Sequence, residues 1–109
     1  MNIVVFFSGT GTNLQSILQN EEKLNYKVIS TFTNNPDASG IDISKNFNVD
    51  CKILDHKKFD SREKFDEEIN VYLQKLNPDY VILAGYMRIL SNFLVEKWKQ
   101  KIINIHPSL

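Results

Sequence analysis

Ile3-Val4-Val5-Phe6-Phe7-Ser8-Gly9-Thr10-Gly11-Thr12-Asn13-Leu14-Gln15 is the stretch that decides the fold. Its first five residues are continuously apolar and rich in β-branched and aromatic side chains, which marks a strand covered on both faces. Ser8-Gly9 ends the run. Leu14, Ile17 and Leu18 then recur at helical spacing. Thr12 with Gln15 fits a capping box, so a helix is expected to start near Thr12. Strand, glycine turn and helix in this order open a βαβ unit.

The same alternation continues along the chain. Residues 26–33 are mostly β-formers and stop at Asn34-Asn35-Pro36. Tyr80-Val81-Ile82-Leu83-Ala84 follows the turn signal Asn77-Pro78-Asp79, and Ile102-Ile103-Asn104-Ile105 precedes Pro107. Residues 49–54 make a fifth, weaker strand. Helices are expected over about residues 38–47, over a stripe of Phe65, Ile69, Tyr72, Leu73 and Leu76, and over residues 92–98. Asp60 with Glu63 is the expected cap of the long one. The prediction is an α/β fold: a doubly wound, mostly parallel sheet with helices on both faces, Rossmann-like, in a single domain spanning residues 1–109.

Composition narrows the function. The chain has 109 residues, with 13 basic and 13 acidic side chains in balance. Binding to nucleic acid through bulk charge is therefore not expected. Apolar runs fall far short of the roughly 20 residues a membrane span requires, and the N-terminus carries no secretory pattern. The single cysteine, Cys51, forms no internal disulfide, which fits a reducing, cytoplasmic setting. Two histidines and one cysteine at scattered positions show no metal-ligand spacing, so no metal is expected.

The glycine loop suggests an anion. Glycines let backbone approach a ligand closely, and the free N–H groups at a helix start favour negative charge. Thr10, Thr12 and Asn13 add donors, and a phosphate is the natural guest. The dinucleotide fingerprint fails, because Leu14 stands where a third glycine is needed and Asn34-Asn35 where an acidic residue would hold a ribose. The nucleotide P-loop fails because no Gly-Lys-Ser/Thr ending occurs. A plain tight turn is the alternative.

Two further segments carry chemistry. Asn104 and His106 lie two apart at a strand end, so both would project to one face past the carboxyl edge of the sheet. Pro107 biases His106 toward extended backbone. An asparagine amide can hold a developing oxyanion, and a histidine can move a proton near neutral pH. No serine or cysteine stands ready as a nucleophile, since Ser108 should face the other way, so direct attack by a substrate nucleophile suits the pair. The alternative is a strand-end histidine bonded within a loop. In Ala84-Gly85-Tyr86-Met87-Arg88-Ile89-Leu90, the glycine allows a sharp exit from the sheet. Met87, Ile89 and Leu90 could wall an apolar slot and Arg88 could meet an anion; ordinary packing around a helix start is the alternative. Arg62 and His56 read as solvated surface residues, and Cys51 as small filler.

Taken together, Met1-Asn2-Ile3-Val4-Val5, Ser8 through Gln15, Phe59-Asp60-Ser61-Arg62-Glu63, Leu83 through Leu90 and Asn104-Ile105-His106-Pro107-Ser108-Leu109 resemble the phosphoribosylglycinamide formyltransferases. The last motif is shared across folate-dependent formyltransferases; the glycine loop selects this branch. The resemblance implies that Gly11, Thr12 and Asn13 hold the phosphate of glycinamide ribonucleotide. It implies that Arg62, Met87, Arg88, Ile89, Leu90 and Asn104 contact 10-formyltetrahydrofolate, the formyl-donor cosubstrate. Asn104 would bind the formyl oxygen and His106 would donate a proton.

The family also has a second half, with more sheet, further folate-binding loops and an aspartate paired with the histidine. No acidic residue here matches that aspartate. The expectation is the first half of a longer protein, slow or inactive alone. A homodimer or another partner could cover the open sheet edge. A chain that binds a phosphorylated ribose without turnover, and another folate-dependent formyl-transferring or deformylating enzyme, are the alternatives.

Overall fold

The computed structural model describes residues 1–105. It contains strands β1 (Asn2–Phe7), β2 (Lys27–Thr33), β3 (Cys51–Ile53), β4 (Tyr80–Ala84) and β5 (Ile102–Ile105). Between them lie helices α1 (Thr12–Gln19), α2 (Glu21–Leu24), α3 (Gly40–Asn46), α4 (Arg62–Leu76) and α5 (Asn92–Lys97), with a 3-10 turn at His56–Lys58. The strands form one sheet in the order β3-β2-β1-β4-β5, and every pairing is parallel. The chain winds outward from β1 through β2 to β3, then returns to β4 and β5. The connections therefore diverge between β1 and β4, which opens a crevice at the carboxyl ends of those strands. This is the doubly wound α/β architecture the apolar runs predict.

Alternate residues of β1 sort into two cores. Ile3, Val5 and Phe7 pack with Leu14 and Leu18 of α1, backed by Ile41 and Ile43 of α3. Val4 and Phe6 pack with Phe65, Ile69 and Leu73 of α4 and with Leu94 and Trp98 around α5. Each fully buried side chain of this size contributes about 1.5–3 kcal/mol. Because both faces are covered, β1 shows no polar alternation.

The caps differ from expectation. Gly11, not Thr12, is the N-cap of α1, in the left-handed region at φ 77° and with no side-chain cap bond. Thr12 is already helical, so its hydroxyl cannot reach forward as a cap does; it meets the Thr10 hydroxyl at 3.1 Å. Ser61, not Asp60, caps α4: its extended backbone aims Oγ at the Lys64 N–H, 3.1 Å away. Asp60 makes only an exposed ion pair with Lys64 at 3.8 Å. Helix α2 was not foreseen, since none of its four residues is buried and no apolar stripe marks it. No helix among the described residues is long and apolar enough to cross a membrane.

Candidate active-site crevice

β1 and β4 deliver two loops to the same edge. The Ser8 N–H donates to the Gly85 carbonyl at 3.2 Å, and the Met87 N–H donates to Ser8 Oγ at 2.8 Å. Residues 9–13 from one side, and Ala84, Gly85 and Met87 from the other, line a cavity of about 200 Å³ at this junction. The predicted phosphate residues Gly11, Thr12 and Asn13 are thus brought together with Met87. Arg62, Arg88, Ile89, Leu90 and Asn104 do not line this cavity.

The glycines serve different ends. A Cβ on Gly11 would sit 2.8 Å from Gly40 Cα and 3.0 Å from Ile43 Cδ1, so Gly11 is required by its positive φ and by packing against α3. Gly40 in turn lies under the Phe7 ring, 2.4 Å from where its Cβ would be. Among the described residues, Gly9 and Gly85 have nothing within 4 Å of that direction. These two leave backbone open on the crevice side. The first N–H groups of α1 lack intrahelical partners and no side chain caps them. Among the described residues no lysine or arginine lines the cavity, so an anion there would be met by amides, the Thr12 and Thr10 hydroxyls and the helix dipole.

The 85–91 loop is anchored from below. Tyr86 packs edge-on against Phe6 at 5.3 Å and Phe32 at 6.1 Å. Its hydroxyl is buried and is the one buried side-chain polar atom without a hydrogen-bond partner among the described residues. Burial first, and the Asp66 charge second, push the Tyr86 pKa well above the ordinary tyrosine value, with Arg88 working against them. Asp66, 2% exposed, accepts the Ser91 N–H at 2.6 Å. The Arg88 guanidinium lies 5.7 Å from the centre of the Phe65 ring, a cation–π contact that holds it on the protein. Of the predicted apolar wall, Met87 and Ile89 are 79% and 72% exposed, while Leu90 is half-buried against the α4–α5 core.

Asn104 pairs in register with Leu83 and is exposed, one residue before the end of β5. It shares the face of Ile102, on the α4–α5 side of the sheet. His106 lies outside the described residues, as do Pro107, Ser108 and Leu109. Arg62 is exposed at the start of α4, the surface position its context suggests. Cys51 is half-buried filler, and burial raises its thiol pKa above the usual cysteine value. Among the described residues, no three His, Cys, Asp or Glu side chains gather in a metal-binding group.

His56 departs from its predicted solvated position. It is half-buried, with Nδ1 3.2 Å from Asn34 Nδ2 and its ring edge-on to Phe65. Sequence reading also passed over Ser8, Asn34 and Asp66. Asp66 left a readable signal. It stands four residues before Asn70, whose Oδ1 accepts from Trp98 Nε1 at 2.9 Å, and the two polar residues flank the Phe65–Ile69–Leu73 stripe on a buried face.

Similarity to known proteins agrees with this fold. A family model described as Formyl transferase matches residues 1–109. The phosphoribosylglycinamide formyltransferase of Escherichia coli (strain K12) is 40% identical over 111 residues, covering all of this chain and 52% of that protein. The Homo sapiens trifunctional purine biosynthetic protein adenosine-3 is 36% identical over 109 residues, covering 98% of this chain and 11% of that one. The Coxiella burnetii phosphoribosylglycinamide formyltransferase structure superposes with a TM-score of 0.95 at 34% identity, covering all of this chain and 52% of that one. The Brucella melitensis structure of the same description gives 0.93 at 30%, with 99% and 57% covered. The chain spans about half the length of the bacterial relatives it matches.

Proposed function

Because the chain belongs to the formyl transferase family, we propose that its protein moves a formyl group from 10-formyltetrahydrofolate to the amine of glycinamide ribonucleotide, a cytoplasmic step of purine synthesis. The observation that carries this reading is the shared cavity: the amide-rich loop of residues 9–13 and the open backbone at Gly85 face one another across β1 and β4. A phosphate on the first loop would bring the rest of its ribonucleotide toward the second. The room beside Gly85 and the exposed Met87 and Ile89 suit a flat ring.

In this reading residues 11–13 hold the phosphate, and Met87, Ile89 and Leu90, with Arg88 and Arg62, hold the folate. Asn104 donates its amide to the formyl oxygen as that oxygen gains charge. The substrate amine attacks the formyl carbon, the bond to the folate nitrogen breaks, and the proton lost by the amine is balanced by one gained on that nitrogen. His106 is the residue of this sequence suited to carry the proton. The pair needs no enzyme nucleophile, which fits a crevice edge where Ser8 is already engaged in two hydrogen bonds.

Release of tetrahydrofolate from 10-formyltetrahydrofolate, followed with and without glycinamide ribonucleotide, tests this. Release only with the ribonucleotide is expected. Steady release without it points to a deformylase. Ribonucleotide binding by calorimetry with no release and no folate binding points to a protein that holds a phosphorylated ribose without turnover.

A further inference from the structure

We propose that His56 and Asn34 are positioning residues for the formyl donor, holding Ser8 so that its hydroxyl fixes the Met87 N–H and with it the 85–91 loop. This rests on the folate reading above and names residues that reading does not use. The bonds form one line across four strand ends. His56 Nδ1 lies 3.2 Å from Asn34 Nδ2. Asn34 Oδ1 accepts from Ser8 Oγ at 2.6 Å. Ser8 Oγ accepts from the Met87 N–H at 2.8 Å. Asn35 Nδ2 donates to the Ser8 carbonyl at 3.2 Å and steadies the same residue.

Counting donors fixes the direction of this line. The Met87 N–H can only donate, so Ser8 Oγ accepts from it. The Ser8 proton then goes to Asn34, whose Oδ1 accepts. That turns Nδ2, a pure donor, toward His56. Nδ1 must therefore accept, and the imidazole carries its proton on Nε2. A proton on Nδ1 would instead meet the Asn34 carbonyl, 3.3 Å away. It would take from Nδ2 the acceptor it has there, in a side chain only 5% exposed. The buried order of Asn34 thus depends on an acceptor at the δ position of residue 56. Met87 is the readout: its side chain is exposed in the crevice while its N–H is tied to buried Ser8.

The test uses the full-length gene product, hydrogen exchange at the Met87 amide, and calorimetry with tetrahydrofolate and glycinamide ribonucleotide. His56→Leu removes the acceptor; it should speed Met87 exchange and weaken tetrahydrofolate binding about fivefold each, with ribonucleotide affinity unchanged. His56→Gln, polar but without an acceptor at the δ position, should behave likewise and stands in if the leucine variant does not fold. His56→Asn puts an oxygen where Nδ1 sat and should restore both. Wild-type exchange and binding in His56→Leu and His56→Gln would overturn the proposal. So would faster exchange with unchanged tetrahydrofolate affinity, or a failure of His56→Asn to rescue. If the wild-type protein binds no tetrahydrofolate, the donor reading and the donor-positioning role fall together, and Met87 exchange then decides only whether His56 holds the loop.

Discussion

The loop after β1 is fixed by backbone packed on backbone, whereas the 85–91 loop after β4 is fixed by hydrogen bonds from side chains far away in sequence. On the first wall Gly11 rests on Gly40 and Gly40 rests under Phe7, with no room for a Cβ at either contact. On the second, Ser8 holds Met87 and Asp66 holds Ser91. Steric contact fixes position whatever the solvent or charge. A hydrogen bond between buried groups fixes position only while both partners are present, and losing one leaves the other unsatisfied. One wall is thus a rigid loop, which suits the anion seat proposed for it, and the other is a braced arm whose bracing can be adjusted one residue at a time.

Steric substitution should break the first wall hardest. Gly11→Ala combines a positive φ with a 2.8 Å clash against backbone, and a loss of about 3 kcal/mol in urea unfolding is expected. Gly40→Ala should cost a similar amount, because the Phe7 ring it strikes is fully buried. Gly9→Ala, with nothing within 4 Å among the described residues, should stay within about 1 kcal/mol of wild type. Equal losses at Gly9 and Gly11 would mean that packing on α3 is not what seats the loop.

On the braced wall the expected loss is smaller. Asp66→Ala strands the buried Ser91 N–H, at a cost of about 2 kcal/mol, and should speed amide exchange at Ser91. Asp66→Asn keeps an acceptor and should recover more than half of the stability. If Asp66→Ala and Asp66→Asn lose stability equally, the carboxylate is acting through its charge and not through this bond.

The difference between the walls also explains what could be read from the sequence. The apolar runs of β1 and β4 were legible as parallel strands, because strands covered on both faces are mostly apolar. The glycine loop was visible because strand, glycines and helix start are contiguous. The bracing was not visible, because Ser8 to Met87 spans 79 positions and Asn34 to His56 spans 22, and no local pattern encodes those distances. Gly11 was read correctly as a special backbone position but for a ligand; half of its reason is Gly40, which no local motif links to it. The caps failed for a subtler reason. Asp60 and Ser61 are adjacent and both are good N-caps by type, and only the extended backbone of Ser61 decides between them. Ser61→Ala should therefore cost about 1 kcal/mol, and Asp60→Ala less than about 0.5 kcal/mol, as for an exposed ion pair. Thermal unfolding of the two variants separates them.

The smallest effect belongs to the one group of the braced wall that braces nothing. The Tyr86 hydroxyl is buried without a partner among the described residues, so Tyr86→Phe should leave stability at neutral pH unchanged or raise it by up to about 1 kcal/mol. Tyr72→Phe is the contrast, because that hydroxyl is hydrogen-bonded, 3.1 Å from the Thr31 carbonyl and in contact with the Ser30 hydroxyl; it should lose about 1 kcal/mol. Both tyrosines share a pH signature. Burial, as the largest cause, raises each folded pKa above its unfolded value. Their contribution is then complete below about pH 10, where the unfolded chain keeps its phenol protons, and falls as pH rises beyond it, because the unfolded state ionises first. Melting curves between pH 8 and 11 should show that fall, and each Phe variant should flatten part of it. A Tyr86→Phe variant that is destabilised at neutral pH and keeps the full alkaline loss would mean that its hydroxyl is bonded after all, and that the second wall has a third brace.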